Sequence, residues 1–277
     1  MKRIIVLFMV GLSFLVITNK GLKAQDAKDI YLREHIANKK PPPYTYLREA
    51  DMIWSKIIWR TIDLREKMNH SFYYPVEMVG DRMSLVRLLW KGVEEGLTAY
   101  SDDDFIQPTT DDQIKINWGA VEITEKIPLP DGTEKDTTYV RSIDFSSVQQ
   151  IEIKERWYFD KQHSVMKARI LGICPVRIAA EEVEGTMQFR KTRLFWVYYP
   201  EFRNLLASSE VHNRNNDSQR ISFDDLFTQR RFNSYIYKES NVYDRTIIEY
   251  STSINALYEA EKIKNWLFEV EHDLWEY

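Results

Sequence analysis

The stretch DMIWSKIIWRTIDLREKMNHSFYYP, residues 51–75, decides how the front of this chain is read. Taken at 100° per residue, Ile53, Trp54, Ile57, Ile58, Ile62, Leu64 and Met68 fall within one half of a helical wheel. Lys56, Arg60, Asp63 and Glu66 fall on the other half. The pattern predicts an amphipathic helix over residues 46–69, with Asp63 and Lys67 four apart and able to pair. Met52 and Trp59 break the pattern, lying together inside the polar half. An exposed Trp flanked by Lys56 and Arg60 fits an interface anchor, so Met52, Trp59 and Arg60 are the candidate partner-interface residues. The competing reading is a second core layer covering that face.

Upstream, Lys2 and Arg3 precede an apolar run from Ile4 to Ile17, and Ala24 is a small residue suited to cleavage. This predicts a secretory signal peptide over residues 1–24 and no membrane span after cleavage. No cysteine follows the apolar run, so the chain itself has no lipobox. Residues 25–45 are polar and end in KKPPPYT, which reads as an extended arm that orders on a partner. Cleavage after Ala24 would leave 34 Lys and Arg against 42 Asp and Glu, a net charge of −8. Export and that acidity argue against nucleic-acid binding.

Downstream, Asp81 or Ser84 is placed to cap a helix over residues 82–95, on Leu85, Leu88, Leu89 and Val93. SDDDFIQPTTDD reads as loop. After residue 113 the period changes to two, beginning with IKINW, and Asp131-Gly132 marks a turn. Residues 151–176 read as a hairpin turning near Asp160 to Ser164, with Cys174 a small buried residue on the return strand. RLFWVYY reads as a central strand and Pro200–Ala207 as a short helix. Ser222 and Asp225 have capping-box spacing. A final helix over residues 252–275 carries Ile254, Leu257, Ala260, Ile263, Leu267, Val270 and Leu274, close to a heptad seam, and is expected to pack on the chain's own sheet. The fold class is α+β, with an N-terminal helical segment (46–112) and an α+β domain (113–277). That domain has an antiparallel sheet with hairpins, then C-terminal helices.

Signals for chemistry are weak. His35, His70, His163, His212 and His272 show no ligand spacing, and HExxH and CxxC are absent, so no metal or cofactor is expected. Asp102, Asp103 and Asp104 lack the rest of a calcium loop. The single Cys174 cannot close an intrachain bridge, and His70-Ser71 has no assignable acid, so no catalytic residue is assigned. The 16 Tyr, 13 Phe and 8 Trp favour packing and binding surfaces instead.

Four long strings carry a resemblance: WRTIDLREKMNHSFYYP, RWYFDKQHSVMKARILGICP, LFWVYYPEFR and FDDLFTQRRFNSYIYKESNVYDR. Together they resemble the gliding-motility protein GldN (PorN) family, in the same order from about residue 30 to 250. The resemblance implies a periplasmic component of the type IX secretion system, associated with the outer membrane. It also implies a ring built with the lipoprotein GldK (PorK), self-association within that ring, and contact with GldM (PorM). It supplies no catalytic residues. The alternatives are a periplasmic hydrolase using His70 and Ser71, or a cargo-binding module.

Overall fold

Residues 52–63, expected as helix, are a strand. The computed structural model describes residues 38–274, apart from 81, 121, 129–133, 141, 184–185, 214–215, 217 and 253. In it Met52–Asp63 form strand β1, and seven of its twelve residues are β-branched or aromatic, which favours a pleated surface. Trp54 and Ile58 point to one face, Ile57 and Trp59 to the other. Both faces are covered, Ile58 by Ile236, Ile263 and Leu267, and Trp59 by Cys174 and Trp196. A strand buried on both faces loses its clean alternation, and a half-wheel is wide enough to accept such a run as a helix. Asp63 accordingly pairs with Arg65 at 2.5 Å and not with Lys67.

After a single helical turn, α1 (His70–Tyr73), comes α2 (Leu85–Glu94). The Ser84 hydroxyl accepts from the Arg87 N–H at 3.4 Å, which caps α2, and Leu85, Leu88, Leu89 and Val93 are buried as expected. Strand β2 (Ala99–Tyr100) is followed by a second correction, α3 (Asp111–Trp118). Ile114, Ile116 and Trp118 alternate in sequence like a strand. Ile114 and Trp118 are nevertheless four apart on one buried helical face, and Ile116 is exposed. Asp111 and Asp112 favour the helix start, and Gly119, at φ 78°, ends it by donating to the Ile116 carbonyl.

Strands β3 (Glu122–Pro128) and β4 (Glu134–Val140) form a separate two-stranded sheet, and the expected Asp131-Gly132 turn between them lies outside the described residues. The long hairpin of β5 (Val148–Asp160) and β6 (Val165–Val183) turns where expected, and β7 (Thr186–Arg193) pairs with the far end of β6. Then follow β8 (Trp196–Tyr198), α4 (Tyr199–Ser208), the pair β9 (Glu210–Val211) and β10 (Ile221–Ser222), and α5 (Phe223–Thr228). The capping box is complete: Ser222 Oγ accepts from the Asp225 N–H, and the Asp225 carboxylate accepts from the Ser222 N–H. Strand β11 (Tyr235–Glu239), α6 (Ile247–Tyr250) and the long α7 (Ile254–Asp273) end the chain.

The main sheet is antiparallel, in the order β11-β1-β5-β6-β8-β2, with β7 added on β6. Strand β1 sits between β11 and β5, pairing Arg60 with Ile236 and Ile62 with Ile151. Strand β1 therefore shares one sheet with β5, β6 and β11 of the chain's later part. The main core joins Ile62, Ile151 and Ile173 of the sheet to Leu88 of α2, Phe202 of α4 and Phe227 of α5. A smaller core lies under α7, whose Ala260, Ile263 and Leu267 pack on Ile58 and Ile236, as expected of a helix on its own sheet.

Gly172 marks the tightest approach to the sheet. A Cβ there would lie 2.4 Å from Phe105 Cζ, and Phe105 is itself boxed in by Tyr100, Trp196 and Tyr198. Gly172→Ala should lower stability by about 1–3 kcal/mol through overpacking. Chemical denaturation checks this, and a variant as stable as the parent would show that Phe105 moves aside freely.

Candidate interaction surfaces

Trp59 and Arg60 are interior residues. Trp59 is 6% and Arg60 7% exposed, so the basis for reading them as an exposed anchor disappears once β1 is a strand. The Trp59 indole N–H donates to Asp103 Oδ2 at 2.8 Å. Its ring lies 5.3 Å from Lys154 Nζ and 4.5 Å from Lys238 Nζ. Lys154, buried in the sheet, donates to the Asp103 carbonyl at 2.7 Å and to Asp104 Oδ1 at 3.0 Å. The acidic run is thus a lid that neutralises a buried lysine. Burial pushes the Asp103 carboxyl up, but the Trp59 N–H and Lys154 outweigh it and hold the pKa below the usual carboxylate range. Met52, at the end of β1, is half-buried and belongs to none of these cores.

On the other side of β1, Arg60 meets a second buried charge. Glu155 is fully buried and takes a two-pronged hydrogen bond from Arg230, at 2.9 and 3.1 Å, and a third from Trp157 Nε1 at 2.9 Å. Arg60 Nε approaches Glu155 Oε2 at 3.3 Å without hydrogen-bond geometry, so it contributes charge more than a directed bond.

The candidate chemical residues are spread apart. His70 Nε2 faces the Arg65 carbonyl at 3.3 Å and its ring packs edge-on against Tyr74. Cys174 is fully buried, and burial pushes its thiol pKa well up. Among the described residues, no group of three His, Cys, Asp or Glu is placed to hold a metal.

Part of the arm rests on this chain. Lys39 reaches Asp225 and Ser222 of the capping box. Beyond the prolines, Tyr44 lies 4.1 Å under the Arg203 guanidinium and 4.8 Å from that of Arg169, which also donates to the Thr45 carbonyl at 2.6 Å. The adjoining cleft, about 310 Å³, is rich in cations, but each has its partner. Lys167 pairs with Asp160, Arg169 with Thr45, and Arg230 with Glu155. That cleft is a seat for the arm, not a vacant anion site. Residues 39–45 should resist limited proteolysis in the isolated protein, and Lys39→Ala with Tyr44→Ala should make them cleavable several-fold faster. Equal cleavage rates in the two proteins would show that these contacts do not hold the arm.

Exposed apolar side chains include Ile53 on β1, Met187 and Phe189 on β7, Val242 and Tyr243 in the loop after β11, and Ile254, Leu257, Tyr258 and Phe268 on α7. The α7 residues were legible in part. Three successive steps of three, from Ile254 to Ile263, each turn the seam by about 60°, so its start faces away from its middle.

No helix among the described residues is long and apolar enough to cross a membrane. No curated protein matches the chain. The family model described as gliding motility associated protein GldN matches residues 47–276, which takes in every strand and helix described above. The chain belongs to the GldN family of gliding-motility associated proteins.

Proposed function

We propose that this protein is a non-catalytic scaffold of the gliding-motility and type IX protein secretion machinery. It works in the periplasm after removal of a signal peptide, associated with the outer membrane through the lipoprotein GldK (PorK). With that lipoprotein it forms a ring complex, in which its copies also contact one another, and it touches GldM (PorM). The observation that carries the reading is membership of the GldN family over residues 47–276. Uncovered apolar side chains on β7, α7 and the loop after β11 support it, because such patches mark binding surfaces. The test is purification of the mature protein alone and with GldK, followed by electron microscopy. Large ring-sized particles are expected with the lipoprotein present. A stable monomer that joins no such particle would overturn the reading.

A further inference from the structure

The loop between β11 and α6, residues 240–246, is built firmly and yet presents apolar side chains to water. Asn241 holds it from inside. Its Oδ1 accepts from the Tyr243 and Arg245 N–H groups, both at 3.1 Å, and its Nδ2 donates to the Glu239 and Arg245 carbonyls at 3.1 and 2.9 Å. Lys238 ties the tip back through Asp244 at 2.6 Å, and an antiparallel bridge pairs Lys238 with Thr246. On this frame Val242 is 97% and Tyr243 73% exposed. The Arg245 guanidinium lies 4.3 Å from the Tyr243 ring and 5.9 Å from that of Tyr250. Among the described residues no carboxylate lies within ion-pair distance of Arg245. Ile248, on the first turn beyond, is also exposed, while its neighbour Ile247 is buried under α7.

We propose that Val242, Tyr243, Arg245 and Tyr250 form a preorganised docking knob for a different folded protein, one that presents a carboxylate surrounded by apolar side chains. Arg and Tyr are the residue types that carry binding energy at interface centres. A loop already fixed by its own hydrogen bonds loses little freedom on binding. The guanidinium is oriented by two tyrosine faces and has its hydrogen-bond donors unspent on any carboxylate here, so a carboxylate is its complement. A second copy docking knob to knob is disfavoured by charge. A two-fold contact centred on the knob would bring Arg245 toward the Arg245 of the other copy, and Asp244 beside it is already paired with Lys238 at 2.6 Å.

The proposal rests on the scaffold reading in one respect, that the chain has a protein partner. It is tested by placing a photo-crosslinking amino acid at Val242 in the full chain, in cells, and identifying the adduct by mass spectrometry. The expected adduct joins one protein other than this chain, and Arg245→Glu lowers its yield roughly tenfold or more, the effect of losing a hot-spot residue. Reversing the partner's acid beside the crosslink to Lys should restore the yield. Thermal melting of Arg245→Glu should match that of the parent, since the side chain is exposed. No adduct, an adduct with a second copy only, a yield indifferent to Arg245→Glu, or a melting temperature lowered by it would overturn the proposal. A chain that enters no large particle sinks the scaffold reading. Particles that form normally, with a crosslink indifferent to Arg245→Glu, sink the docking knob alone.

Discussion

Glu155→Ala should destabilise the protein by about 3–5 kcal/mol, the usual loss when one member of a buried ion pair is removed. The carboxylate is fully buried between Arg60 of β1 and Arg230, which follows α5. It also accepts from the Trp157 indole, and both guanidinium groups stack near that ring, at 5.4 and 5.2 Å. Removing it leaves two cations facing each other, one of them almost without access to water. Most of the loss therefore comes from the stranded charge of Arg60, not from the deleted bonds. That account makes a further demand. Pairing Glu155→Met with Arg60→Met and Arg230→Met should recover much of the loss, because an apolar cluster of similar volume needs no counter-charge. Denaturant titration of the single and multiple variants checks both statements. A single variant within about 1 kcal/mol of the parent would mean that water reaches Arg60.

The parts of the fold that sequence reading recovered are those fixed by neighbours along the chain. Ser84 before α2, the Ser222–Asp225 box of α5 and the hairpin from Asp160 to Ser164 each act over a few residues. Two elements depart from their periodicity because a sequence pattern does not report what covers each face. Strand β1 has α7 on one face and the Trp196 cluster on the other, so its apolar residues do not alternate. Helix α3 alternates by accident, and the stronger signal was Gly119 behind two N-terminal acids. The surroundings of Trp59 and Arg60 are hidden from the sequence for a different reason. They stand out only against a helical wheel, while residues 52–63 form a strand, and their partners lie far along the sequence. Asp103 is 44 residues from Trp59, and Glu155 is 95 from Arg60. No local pattern reports such pairs. The surfaces that are exposed, the loop at 240–246 and the outward side of α7, carry ordinary tyrosines and aliphatics that sequence alone cannot tell from core residues.

Trp59→Ala should unfold the protein more readily without first weakening any partner contact, with an expected loss of about 3–5 kcal/mol. The ring packs in one cluster with Cys174 and Trp196, and its removal opens a cavity over the β1–β5 pair, where Trp59 sits opposite Lys154. It also takes away the N–H that Asp103 accepts from and one wall of the cage around Lys154, whose ammonium lies against that wall, Phe105 and the acidic lid. Trp59→Phe separates the two effects. The ring remains, so the cavity is small, and the remaining loss of about 1.5–3 kcal/mol belongs to the bond to a charged acceptor. Met52→Ser supplies the contrast, since Met52 sits half-buried at the strand end and outside every core cluster, and its loss should stay below about 1 kcal/mol. Melting curves of the three variants decide the matter. A Trp59→Ala protein that melts with the parent but no longer binds its partner would return Trp59 to the surface and require the Asp102–Asp104 lid to open in the complex.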